Sequence, residues 1–192
     1  MNERCPWAGD DPLYQQYHDE EWGKPVYDER LLFEYINLEG MQAGLSWFTI
    51  LKKRPTYRLA FAQFDPEIIA HYDEKKCIEL MGNPGIIRHR LKIDAIINNA
   101  QILLRMRMQG LDLTEFLWRF VDGEPIINHW KQFNEVPAKT VISDKMSREL
   151  KKLGFKFVGS TTCYALMQAV GMVNDHLVAC FCHGKTNETK NS

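Results

Sequence analysis

Hydrophobic positions recur along this chain at helical spacing, and no run of alternating apolar and polar residues is long enough to predict a sheet. Leu31, Leu32, Tyr35 and Leu38 form the apolar side of one predicted helix, which Asp28 can cap. A second begins near Ser46 and is expected to stop before Pro55, because proline disfavours helical geometry in the residue ahead of it. Asp65-Pro66 has the form of a cap followed by a first-turn proline. Arg88 to Met108 reads as a long amphipathic helix, with Leu91, Ile96, Ala100, Leu103 and Leu104 as core candidates. Thr114 is expected to open a further helix that Gly123 closes.

The stretch from Glu124 to Val141 lacks periodicity, contains two prolines and is expected to be an ordered loop. Beyond it, Ser143 is expected to cap a helix that runs to Leu153 and stops at Gly154. The connector Gly154-Phe155-Lys156-Phe157-Val158-Gly159 leads into a helix ending near Gly171. Two helices joined by a tight turn with glycine at both ends have the form of a helix-hairpin-helix. Glycine lets a backbone approach a phosphate closely, and a helix N-terminus offers free amide donors. Lys151, Lys152 and Lys156 lie around that point, although helical hairpins are also common structural units. No repeat or linker marks a boundary, so residues 1–183 are expected to form one helical domain. Residues 184–192 read as a polar, disordered tail.

Composition adds limits. A 192-residue chain with 45% hydrophobic and 26% charged residues is that of an ordinary globular protein. No apolar run approaches the roughly 20 residues that span a bilayer, and the N-terminal residues do not resemble a secretory signal. A cytosolic monomer with no membrane partner is expected. The net charge of −1 does not announce a nucleic-acid binder. Basic residues nevertheless cluster at Lys52-Lys53-Arg54, at Arg88-His89-Arg90 with Lys92, and at Lys151-Lys152 with Lys156. Each cluster is read either as a phosphate contact or as a solvated helix face.

Five cysteines without a secretory signal argue against a disulfide framework. Cys77 and Cys163 fall in apolar helical patterns and are expected to be buried. His176 and Cys180, four residues apart, would share one face of a helix, and imidazole with thiolate is a typical zinc-binding pair. Cys5 and His18 could complete a tetrahedral site, with Cys182 and His183 as competitors. A core histidine and a buried cysteine without metal are the alternative. If a metal is bound, four protein ligands would make it structural, since a catalytic zinc keeps a position open for water.

The first fifty residues are rich in aromatics, including Trp7, Tyr14, Tyr17, Trp22 and Trp47. Among them Glu39 interrupts an apolar helix just before Gly40, where burial would raise its pKa unless it is partnered. A carboxyl beside aromatic faces suits a flat, cationic ring, whereas an exposed helix end is the other reading.

These residues also carry a resemblance. Arg4-Cys5-Pro6-Trp7, Asp11-Pro12-Leu13-Tyr14, Tyr17 to Gly23, Leu38 to Trp47, Gly85 to Arg90, Gly154 to Gly159 and Val173 to His176 resemble bacterial 3-methyladenine DNA glycosylase I, in family order and over nearly the whole chain. The resemblance implies an all-α fold of the helix-hairpin-helix glycosylase superfamily. It selects Cys5, His18, His176 and Cys180 as ligands of a structural zinc joining the N- and C-terminal segments. It also implies a monofunctional hydrolase that flips 3-methyladenine out of double-stranded DNA. The implied base pocket is Glu39, Tyr17, Trp47, Tyr14, Trp22 and Trp7, with Glu39 as the catalytic group. Glu39 and Tyr17 would read the Hoogsteen edge and Trp47 would stack on the ring. Gln42 and Leu45 fall where the family inserts side chains into the DNA stack, and Lys156 and Gly159 where the hairpin meets the backbone. No lysine nucleophile is evident at the hairpin. Asp175 lies near the position of the superfamily's water-assisting aspartate, but its role stays open beside His176. Two further classes are a zinc-stabilised DNA-binding module without catalysis and a zinc hydrolase.

Overall fold

The computed structural model describes residues 3–184, so most of the polar tail lies outside the described residues. The helices are α1 (Pro12–Glu20), α2 (Glu29–Met41), α3 (Trp47–Ala60), α4 (Pro66–Ile69), α5 (Glu74–Met81), α6 (Arg90–Met108), α7 (Leu113–Trp118), α8 (Val141–Leu153) and α9 (Ser160–Ala169). Aspartates begin many of them. The carboxylates of Asp11, Asp28, Asp65, Asp73 and Asp112 each accept a backbone N–H in the first turn. Five of the chain's 25 acidic side chains therefore satisfy helix ends.

Helix α2 lies at the centre, packed against α3, α6, α7 and α9. Every residue from Leu32 to Met41 is buried, so this helix is covered on all sides rather than along one stripe. Its approach to the α8–α9 connector depends on Gly40. A Cβ there would fall 2.9 Å from Phe157 Cβ. The connector bends as a glycine-flanked turn: Gly154 has φ of 104°, and the amides of Gly154 and Phe155 return to Lys151 O and Leu150 O. Asn99 of α6 holds it further, accepting from Lys156 N at 2.8 Å.

Several expectations need correction. Helix α3 continues through Pro55 to Ala60. Ile50, Leu51, Arg54 and Tyr57 are buried on either side of the proline. Arg54 also donates to Glu21 and Glu34. This packing offsets the roughly 3 kcal/mol that an interior proline costs. Leu91 is 67% exposed, because it sits five positions before the fully buried Ile96 and so about 140° around the helix from it. Ile96, Ala100 and Leu103 are in the core as expected. The cap of α8 is Thr140, not Ser143, which instead returns its hydroxyl to the Thr140 amide in a reciprocal capping box. Likewise Asp112, rather than Thr114, opens α7.

The aperiodic stretch is an ordered strap. It contains a two-residue strand, β1 (Ile126–Ile127), paired in parallel with β2 (Val173–Asn174). That pairing replaces the helix expected to carry His176 and Cys180: after Asn174 the chain runs through irregular turns. Gly171, at φ of 72°, makes the reversal from α9, and a Cβ there would lie 2.3 Å from Lys24 C. No described helix is long and apolar enough to cross a membrane.

Candidate functional site

A cavity of about 440 Å³ opens between the N-terminal aromatics, the end of α2, the strap and α9. The α1 segment and the turns around it supply Trp7, Tyr14, Tyr17 and Trp22; α2 and the start of α3 supply Glu39, Gln42 and Trp47. The expected base-pocket residues thus converge. Their rings brace one another: Trp7 lies 5.0 Å from Tyr14 and 4.9 Å from Trp22, and Tyr17 lies 5.5 Å from Trp47. Edge and tilted contacts of this kind hold flat faces open to a planar guest.

Glu39 is the polar floor of this aromatic box. It is buried, and no group among the described residues hydrogen-bonds to its carboxyl. Desolvation alone pushes its pKa up to about 8. The carboxyl therefore holds a proton near neutrality, unless a cation or a donor enters beside it. Burial also raises the Tyr14 and Tyr17 phenols, and the charge of Glu39 adds to the effect on both.

Beneath the box lies a compensated ion cluster. Arg54 donates to Glu34 at 2.5 Å and to Glu21 at 2.6 Å, Arg58 donates to Glu34 at 2.9 Å, and the Tyr35 hydroxyl donates to Glu21 at 2.8 Å. This fixes the turn after α1 against α2 and α3, and so places Tyr17 and Trp22.

Asp175 lines the same cavity but in the opposite setting. One carboxylate oxygen accepts from Asn128 Nδ2 and Trp130 Nε1, each at 2.7 Å. The other accepts from the Tyr164 hydroxyl at 2.5 Å and Gln168 Nε2 at 2.9 Å. With two donors on each oxygen, its four lone-pair positions are occupied within the protein. These four donors, and the wall formed by Phe133, Val136, Pro137 and Ala138, were not singled out from sequence. The one hint was a tryptophan in a segment without periodicity.

Behind Trp7 and Trp22 the chain ends meet. Cys5, His18, His176 and Cys180 are all buried, with one ligand atom of each within 4.8 Å of the others. Cys180 Sγ lies 3.5 Å from both His18 Nε2 and His176 Nδ1, and Cys5 Sγ lies 3.6 Å from His176 Nδ1. A tetrahedron with bonds of 2.0–2.3 Å has edges of about 3.5 Å, so this donor set fits a metal ion. The free ring nitrogens are tied down as well: His18 Nδ1 pairs with Asp19 at 2.7 Å and His176 Nε2 with Trp22 O at 3.0 Å. The amides of Leu177 and Cys182 point at the two sulfurs. His18, Asp19 and Cys182 form a second, less complete grouping. None of the four ligands lines the cavity.

Other expected contacts lie outside the box. Leu45 is 41% exposed at the tip that follows α2, and Lys156 is exposed on the hairpin connector beside Gly159. The basic clusters separate in space: Arg54 is buried in ion pairs, Arg90 pairs with Glu74 and Asp94, and Lys152 pairs with Glu149.

Comparison with known proteins agrees with this geometry. The family model described as methyladenine glycosylase matches residues 7–183. DNA-3-methyladenine glycosylase 1 of Escherichia coli (strain K12) is 52% identical over 181 residues, which cover 94% of this chain and 97% of that protein. A crystal structure of 3-methyladenine DNA glycosylase I superposes with a TM-score of 0.93 at 54% identity, covering 94% of this chain and all of the other. The Staphylococcus aureus enzyme, solved for the structural basis of its 3-methyladenine recognition, superposes with a TM-score of 0.89 at 37% identity and covers 92% and 94%.

Glu39 also sets a pH dependence of stability. Between its ordinary value of 4.5 and its folded value of about 8, the folded protein keeps a proton that the unfolded chain has released. Stability therefore falls as pH rises through that window. Glu39→Gln, neutral throughout, should gain on the wild type by about 2 kcal/mol or more between about pH 5 and pH 8. Urea midpoints at the two pH values measure this, and parallel profiles would contradict it.

Proposed function

The chain belongs to the methyladenine glycosylase family, and from that premise we propose that it hydrolyses the N-glycosidic bond of 3-methyladenine in alkylated DNA, initiating base-excision repair. The observation that carries this reading is Glu39, an unpartnered carboxyl at the floor of an aromatic cavity.

The chemistry follows from the substrate's charge. Methylation at N3 makes the nucleotide base cationic and weakens its glycosidic bond, so leaving-group protonation is less needed than for a normal base. The damaged base is unreachable inside a duplex and is flipped into the cavity, at lower cost because it pairs weakly. Trp47 stacks on the ring, with Trp7, Tyr14 and Trp22 completing the aromatic walls. As the cation arrives, Glu39 releases its proton to solvent through the open cavity and its carboxylate accepts from the exocyclic amine, while Tyr17 hydrogen-bonds near N7. A neutral purine gains less from this exchange, because the carboxylate would be buried beside no positive charge. Glu39 thus selects for charge as well as for shape. Gln42 and Leu45 enter the stack left by the flipped base. The α8–α9 hairpin, with Lys156 and Gly159, grips the phosphate backbone as a helix-hairpin-helix. We place the enzyme in the cytosol as a monomer acting through one domain, residues 1–183.

For Cys5, His18, His176 and Cys180 we propose one structural zinc per chain. The two-thiolate, two-imidazole donor set and the separation from the cavity support a clip between the chain ends. Zinc there supplies cross-linking and no chemistry to the base.

Two measurements test these assignments. Chromatography of bases released from methylated duplex DNA should show 3-methyladenine for the wild type, and a rate about 100-fold lower for folded Glu39→Gln. Absence of that base with the wild type, or an undiminished rate for the variant, would refute the reading. Cys180→Ser should lose zinc and melt on the order of 10 °C lower, yet still release base at low temperature. A variant of unchanged melting temperature that is wholly inactive would instead place the metal in catalysis.

A further inference from the structure

Lys92 is a buried cation that no carboxylate compensates. It lies in the first turn of α6 and is 6% exposed. Its ammonium donates to Met41 O at 2.8 Å and Ala43 O at 2.7 Å, and no carboxylate among the described residues is within ion-pair range. Burial lowers its pKa from the ordinary lysine value, so the site is held at a cost. Met41 O is the last carbonyl of α2, where helix carbonyls lack partners and the dipole is negative, and Ala43 O lies in the turn just beyond it. Lys92 therefore serves as a C-terminal cap supplied by another helix.

What it caps is the approach to the tip. Met41 is buried and Gln42 lines the cavity, but residues 43–46 are exposed. Gly44 has φ of 79° with open space around it, and Leu45 presents an apolar side chain to water. Backbone bonds from Ala43 N to Gly40 O and from Leu45 N to Gln42 O keep the turn tight. They do not anchor it to the rest of the protein. The Lys92 ammonium does, joining Met41 and Ala43, two and four residues beyond Glu39, to α6.

We propose that Lys92 is a positioning residue for DNA: by locking the Met41–Ala43 turn it holds Gln42 and Leu45 as a rigid wedge in register with the base cavity. This rests on the reading that Gln42 and Leu45 enter the DNA stack. A wedge free to shift by an ångström would hold the extruded nucleotide poorly, a displacement that can cost on the order of 100-fold in rate. The loss should depend on how much help the lesion needs to leave the helix.

Base release is compared on two duplexes, one with 3-methyladenine opposite thymine and one with it opposite an abasic site, where flipping is easier. Lys92→Met should be slower by about 10-fold or more on the paired duplex and by no more than about 3-fold on the other. Its affinity for free 3-methyladenine, read by tryptophan fluorescence, should stay within about 2-fold of wild type. Leu45→Ala should show the same dependence on substrate. An unchanged rate on the paired duplex, or an equal loss on both, overturns the role of Lys92. If Leu45→Ala slows the paired duplex and Lys92→Met does not, only the clamp fails. If Leu45→Ala has no effect there, the insertion reading itself fails. Should Lys92→Met be insoluble, Lys92→Gln, which keeps a donor but not the charge, is measured on the same pair with the same outcomes deciding.

Discussion

The structure is organised around a buried carboxyl group that lines the aromatic cavity and that no protein group answers. Burying Glu39 unpartnered is unfavourable, and the fold accepts the cost by keeping the group protonated up to about 8. The aromatic rings and the wall of Phe133, Val136, Pro137 and Ala138 surround it, and the ion cluster of Arg54 with Glu21 and Glu34 fixes the segments that carry the rings. The same desolvation makes the carboxyl responsive to charge, because one cation beside it reverses the balance between its two forms.

The metal-ligand cluster and the cavity share walls, which gives the clip a functional consequence without a catalytic one. Trp22 packs 4.7 Å from His176 on one side and lines the cavity on the other, and Trp7 stands in the same relation to His18 at 5.1 Å. Holding the two chain ends together therefore holds two rings of the box. Asp175 works in parallel: adjacent to a proposed ligand, it gathers donors from the strap and from α9. Its four donors make it a tie between the strap and α9.

How much of this was legible in the sequence depended on the range of the interaction. Local signals held: the Asp28 and Ser46 caps, the Asp65-Pro66 start and the Gly154 stop all stand where they were expected. Long-range packing overrode the local rule at Pro55, where buried ion pairs carry the helix through. His176 and Cys180 do lie together, but β2 and irregular turns, not the helix that their spacing suggested, bring them there. Resemblance supplied Cys5 and His18 as their partners, a choice spacing could not make. The ordered loop between Glu124 and Val141 was expected, but its contacts at the cavity and the inward turn of Lys92 were not, because nothing within a few residues of either one encodes its partner.

The most direct test is the titration of Glu39, which is unpartnered and protonated in the free protein. Carbon-13 NMR of glutamate-labelled protein, with the Glu39→Gln variant to assign the resonance, reads its titration directly. A midpoint near 8 is expected for Glu39, clear of the other glutamates. A midpoint at the ordinary carboxylate value near 4.5 would contradict it.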